Sequence, residues 1–106
     1  MAKYLFEALY TPEGLKGLKR AGAASRVAAI SDMCSGLGGS LDSFHFAFGA
    51  VDAYVVVDLP DDEAAAAAAF TVGASAATHV KTIKLLTLDE ADAAVARSVD
   101  YRPPGN

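Results

Sequence analysis

Apolar residues alternate along Lys3–Tyr10, with Tyr4, Phe6, Ala8 and Tyr10 on one face and Leu5 and Leu9 on the other. Two apolar faces predict a strand that lies inside a sheet. The period then lengthens. Thr11-Pro12-Glu13 carries the marks of a helix start, a side chain able to cap orphan N–H groups followed by proline at the first helical position. Val27, Ile30, Cys34 and Leu37 recur at spacings of three and four and make one apolar stripe, so the helix is expected to reach about Leu37. Gly22 weakens its middle by roughly 1 kcal/mol relative to Ala and marks a kink or break. Gly36, Gly38 and Gly39 end it.

A period of two returns at Leu41–Phe48, where Phe44, Phe46 and Phe48 alternate with Ser43, His45 and Ala47. The three Phe side chains are expected to face the helices. After a reversal at Gly49–Asp52, Ala53–Leu59 is rich in β-branched residues and predicts a central strand. Pro60-Asp61-Asp62-Glu63 opens a second, Ala-rich helix at about Asp61–Gly73, with Phe70 as its expected anchor. His79–Thr87 predicts a fourth strand. Thr87 and Glu90 then form a capping box for a short helix ending near Val99.

The order β-α-β-β-α-β with a terminal helix specifies an α+β, ferredoxin-like sandwich: a four-stranded antiparallel sheet with two helices on one face. One domain over residues 1–100 is followed by a tail, residues 101–106, whose prolines favour an extended path. The second sheet face, expected to carry His45, Ala47, Val55 and Val57, is too apolar to stay wet. Stacking two such faces predicts a homo-oligomer, most simply a dimer and next a ring of three.

Composition narrows the setting. The net charge of −4 argues against nucleic acid and anionic membranes as partners, because both need clustered cations. No apolar run approaches the roughly 20 residues that span a bilayer. Glu7 interrupts the start where a secretory signal would be apolar. The single Cys34 excludes an internal disulfide and fits a reducing compartment, so a cytoplasmic location is expected.

The chain resembles the GYD-domain family of small bacterial proteins. Ser43-Phe44, Phe46, Gly49, Asp52, the Val55–Val57 run and Pro60-Asp61-Asp62 carry the likeness. It extends to Tyr10-Thr11, Gly14, Gly38-Gly39, Thr82, Leu86-Thr87 and the tail Tyr101–Gly105. The resemblance implies a ferredoxin-like fold of the dimeric α+β-barrel type and brings no established reaction. At the namesake triplet the Tyr position holds Val51, and His45 stands where a Tyr is common, so roles resting on those hydroxyls do not carry over.

Among residues that bear chemistry, His45 is the first candidate, as a general base in a partly dry cavity or as a hydrogen-bonding group across an interface. Asp52 at the hairpin either orients His45 or accepts backbone N–H bonds and fixes the turn. Tyr4, Tyr10 and Tyr54 offer hydroxyls to a cavity or aromatic area to a core or interface. Lys16, Lys19, Arg20 and Arg26 form a basic helix face that receives an anionic ligand or a neighbour's acidic helix, unless it is simply solvated. Tyr101 and Arg102 on the stiff tail suit docking to an adjacent subunit. His45, His79 and Cys34 match no compact ligand motif, so no metal site is expected and no cofactor is assigned. The expected function is a homo-oligomeric module binding a small molecule or protein partner at its sheet face or subunit interface. The alternatives are a small α+β-barrel enzyme using His45 on an apolar or aromatic substrate, and a purely structural assembly subunit.

Overall fold

The computed structural model describes residues 1–105; Asn106, the last residue of the predicted tail, lies outside them. The elements are β1 (Ala2–Tyr10), α1 (Pro12–Ala21), α2 (Ala23–Gly36), β2 (Ser40–Phe46), β3 (Ala53–Leu59), α3 (Asp62–Ala74), β4 (Thr78–Lys84) and α4 (Leu88–Ala96). The strands pair antiparallel throughout in the order β2-β3-β1-β4, with β1 and β3 central. This is the ferredoxin-like α+β arrangement that the element order specifies.

The first helical stretch divides at Gly22, whose φ of +90° places it where a side chain would be strained, so α1 and α2 are separate helices. Thr11 caps α1 by accepting from the Gly14 N–H. Its own N–H and hydroxyl donate to the carbonyls of Ala77 and Ala76 at 3.0 and 2.6 Å. The helix start is thereby fastened to the loop before β4. Gly14 permits this approach, since a Cβ there would run into the Ala77 carbonyl.

The core lies between the sheet and α2 and α3. Tyr4, Phe6 and Ala8 of β1 and Ala53, Val55, Val57 and Leu59 of β3 meet Ile30, Cys34, Ala65 and Ala68. Burial raises the Cys34 thiol above its ordinary pKa, and Cys34 behaves as a small core hydrophobe.

Several expectations need correction. Val55 and Val57 face the helices, and Tyr54, Val56 and Asp58 take the opposite face. The apolar run Ala53–Val57 has no phase of its own; the pairing of Phe44 with Val55 sets it. Phe48 does not join Phe44 and Phe46 on the helix side: it is 101% exposed. β2 ends at Phe46 because the Ala47 N–H already bonds the Asp52 carbonyl and closes the loop. Ala47 therefore belongs to the loop closure and not to the sheet face. Phe70 is 75% exposed, and Ala65 and Ala68 make the close contact of α3 with the sheet instead. The fourth strand starts one residue earlier than expected, at Thr78, and stops at Lys84.

The capping box at Thr87 and Glu90 is formed, with both reciprocal bonds at 3.0 Å. Yet α4 has no buried residue, and Leu86, Leu88, Val95, Val99 and Tyr101 are all exposed. The radius of gyration is 16.8 Å, against roughly 13 Å for a compact chain of this length. The difference fits a C-terminal arm that stands off the body. Among the described residues, no helix is long and apolar enough to cross a membrane.

Candidate functional site

Two regions of the molecule carry side chains not used up by the core. The first is the sheet face turned away from the helices. Cross-strand pairing places His45 opposite Tyr54, Tyr54 opposite Glu7 and Glu7 opposite Lys81, so these four form one polar row across the sheet. The next row is Ser43, Val56, Leu5 and Ile83, which is mainly apolar. At one end Lys3 reaches Asp42 at 3.1 Å and Asp58 at 3.0 Å. The Asp58 bond, then the Asp42 bond, holds the Lys3 pKa above its ordinary value. Asp42 is presented there by an irregularity in β2 between Leu41 and Ser43.

His45 and Tyr54 are thus neighbours on one exposed face. Asp52 is not their partner: its carboxylate accepts the Tyr10 N–H at 2.9 Å, and its own N–H donates to Ala8. Asp52 ties the hairpin to the end of β1. His79 also lies on the open face, but on β4, at the opposite edge from His45. Cys34 is buried on the other side of the sheet. These three do not come together.

Tyr4 lies under the helices, and its hydroxyl donates to Asp62 at 2.5 Å. Lys84 completes the cluster, 3.0 Å from the same carboxylate. The Asp62 bond, aided by burial, pushes Tyr4 up to about 12, and the Tyr4 and Lys84 bonds hold Asp62 below the ordinary carboxylate range. Tyr101 and Arg102 sit on the exposed tail beyond α4.

The second region is a cleft on the helix side. Its walls are α1, the first turns of α2 and the Ala76–Thr78 segment, and it encloses about 410 Å³. Lys16 and Lys19 are exposed and line no part of the cleft, exposed Arg20 stands on its wall, and Arg26 is half-buried, its guanidinium carbon 5.9 Å from the centre of the Tyr10 ring. Arg26 Nε and Thr78 Oγ1 are buried and have no hydrogen-bond partner among the described residues. Beneath them is an apolar slot of about 30 Å³ between the sheet and the helices, to which Phe6, Ile30, Met33, Phe44 and Val72 contribute. Tyr10, Arg26 and Thr78 line both spaces and form the boundary between them. Thr78 escapes a reading of the sequence because the Ala-Ser-Ala-Ala run before it looks like loop. The alternation Thr78, Val80, Thr82 is the signal that would have included it.

A third cavity, of about 270 Å³, lies between α2 and α3 at Met33, Leu37 and Ala68. His45 lines none of the three.

The family model for the GYD domain matches residues 4–95. Neither a curated protein nor a solved structure matches the chain.

Proposed function

The chain belongs to the GYD-domain family, and from that premise we propose that it works as a self-associating, non-catalytic binding module whose open sheet face is covered by a second copy. The observation that carries this reading is the exposure of apolar side chains at two places at once. Leu9, Tyr54 and Ile83 stand out from the open sheet face, and Leu88, Val95 and Val99 from the arm.

Size explains why both are needed. Four strands of about seven residues present a footprint of roughly 450 Å², from about 4.8 Å per strand and 3.3 Å per residue. A stable association buries about 800 Å² per partner. The sheet face alone falls short, and an arm laid across the neighbour supplies area of the right chemistry. Tyr101 and Arg102 at its end extend the same contact.

Charge is compatible with closure. Lys3 is matched by Asp42 and Asp58, and Lys81 stands opposite Glu7. Lys3 enters the interface already paired, and Glu7 and Lys81, opposite each other in register, pair as the face closes, the condition under which burying ions is tolerable. His45 and Tyr54 become interface residues that hydrogen-bond within the closed row or to the second copy. The helix side stays open to solvent, and with it the Arg26 cleft.

Val56→Lys tests the assignment of the face. Val56 is central on it and directed away from the core, so the substitution should leave the fold intact by circular dichroism and separate the copies. An assembly of unchanged mass would place the contact elsewhere.

A further inference from the structure

We infer that the cleft between α1, α2 and the Ala76–Thr78 segment binds a small monocarboxylate, its carboxylate on Arg26 and a short apolar end in the slot beneath. The volume of about 410 Å³ lies in the range of small-molecule sites. Its chemistry is set by what is left unpaired. Arg26 carries a fixed positive charge, its Nε is buried without a partner, and no ion pair reaches it among the described residues. Arg26 is half-buried, and enclosing part of such a group without a partner is costly. Tyr10 offers the guanidinium a ring face, which steadies its position without neutralising it.

Thr78 is the second, independent sign. Only 2% of it is exposed, and its hydroxyl has no partner among the described residues. It stands with Arg26 at the neck between cleft and slot. A water at the neck would meet both polar atoms but leave the charge uncompensated. A carboxylate does both, because its two oxygens match the guanidinium fork and leave a lone pair for the hydroxyl. The uncapped start of α2, which also opens on the cleft, favours the same sign of charge.

The class of anion follows from the rest of the lining. Glu13 and Arg20 both line the cleft without an ion pair among the described residues, and their opposite charges offset, so Arg26 is left as the net charge and a monoanion matches it better than a dianion. Phe44 and Ile30 in the slot reward an apolar group, for which about 30 Å³ leaves room for little more than one methyl. A monocarboxylate with a short alkyl end meets both conditions; inorganic phosphate meets neither.

The test compares propionate with propionamide, equal in length and differing in charge, titrated into the full 15N-labelled chain and followed by NMR. Propionate should move the Arg26 Nε–H and Thr78 amide signals and bind at least about tenfold tighter than propionamide, the worth of one charge-assisted hydrogen bond. Arg26→Gln should erase that preference. If this variant fails to fold, the comparison on the parent chain still decides. Equal affinity for the two probes, no binding of propionate by about 10 mM, or shifts confined to the sheet face would overturn the assignment. Tighter binding of inorganic phosphate at Arg26 would overturn the carboxylate class.

Discussion

The Tyr4 hydroxyl donates to the Asp62 carboxylate at 2.5 Å, joining the middle strand β1 to the first turn of α3. The bond makes stability depend on alkaline pH. Tyr4 keeps its proton to about 12 when folded, against 10.0 for a free phenol. The stabilisation is therefore complete below pH 10 and is lost as the pH rises from 10 through 12. Denaturant midpoints measured across that window should fall more steeply for the natural chain than for Tyr4→Phe. At the acid end Asp62 has a lowered pKa, so its contribution is present above the ordinary carboxylate range and lost as pH falls through the lowered value. Parallel alkaline curves for the two proteins would show that the bond does not form in solution.

Asp52 separates a structural acceptor from a catalytic charge. Its carboxylate receives the Tyr10 N–H, and removing it orphans that donor at the end of β1. Asp52→Ala should cost about 1–3 kcal/mol in urea unfolding. Asp52→Asn keeps an acceptor oxygen and should recover most of the loss. If Asn is as damaging as Ala, the negative charge matters and the anchoring role is insufficient.

Gly39 lies where β2 begins, and a Cβ there would run into the Asp58 carbonyl of β3. Gly39→Ala must push the two strands apart and should destabilise by about 1–3 kcal/mol. Gly36→Ala, three residues earlier with open space around it, is the control and should be neutral or slightly stabilising. Equal melting temperatures for the two variants would contradict the close approach.

The arm makes its own prediction. Leu88 and Val95 lie two turns apart on α4, both exposed in the single chain. Burying either against a neighbour contributes about 1.5–3 kcal/mol. Val95→Asp should weaken self-association, read as a raised dissociation constant in sedimentation, while the melting of the separated chain stays unchanged. An unaltered dissociation constant would remove the arm from the contact.

Much of this was legible in the residues. Thr11-Pro12, Asp61 and the Thr87–Glu90 box announce helix starts through side-chain chemistry that acts over three residues, and all three caps are formed. Gly22 announces the break between α1 and α2 for the same local reason. The faces were harder. Ala53–Val57 is apolar at every step, so its inward side is decided by pairing with β2, a contact between distant residues. Phe70 has the bulk of an anchor, but close packing on the sheet selects Ala65 and Ala68. At the cleft, Arg26 belonged visibly to a basic helix face. That it is the one half-buried against the Tyr10 ring depends on the break at Gly22 and on Tyr10 at the strand end, which no local pattern reports.

The most direct test of the central claim is the mass of the full chain in solution, by multi-angle light scattering at micromolar concentration. Self-association through the open sheet face predicts twice the 10.9 kDa of one chain. A mass of three chains would overturn the face-to-face pair, since two stacked sheets leave no open face for a third. A monomer would contradict the account outright, because Leu9, Ile83 and the arm would then remain in water.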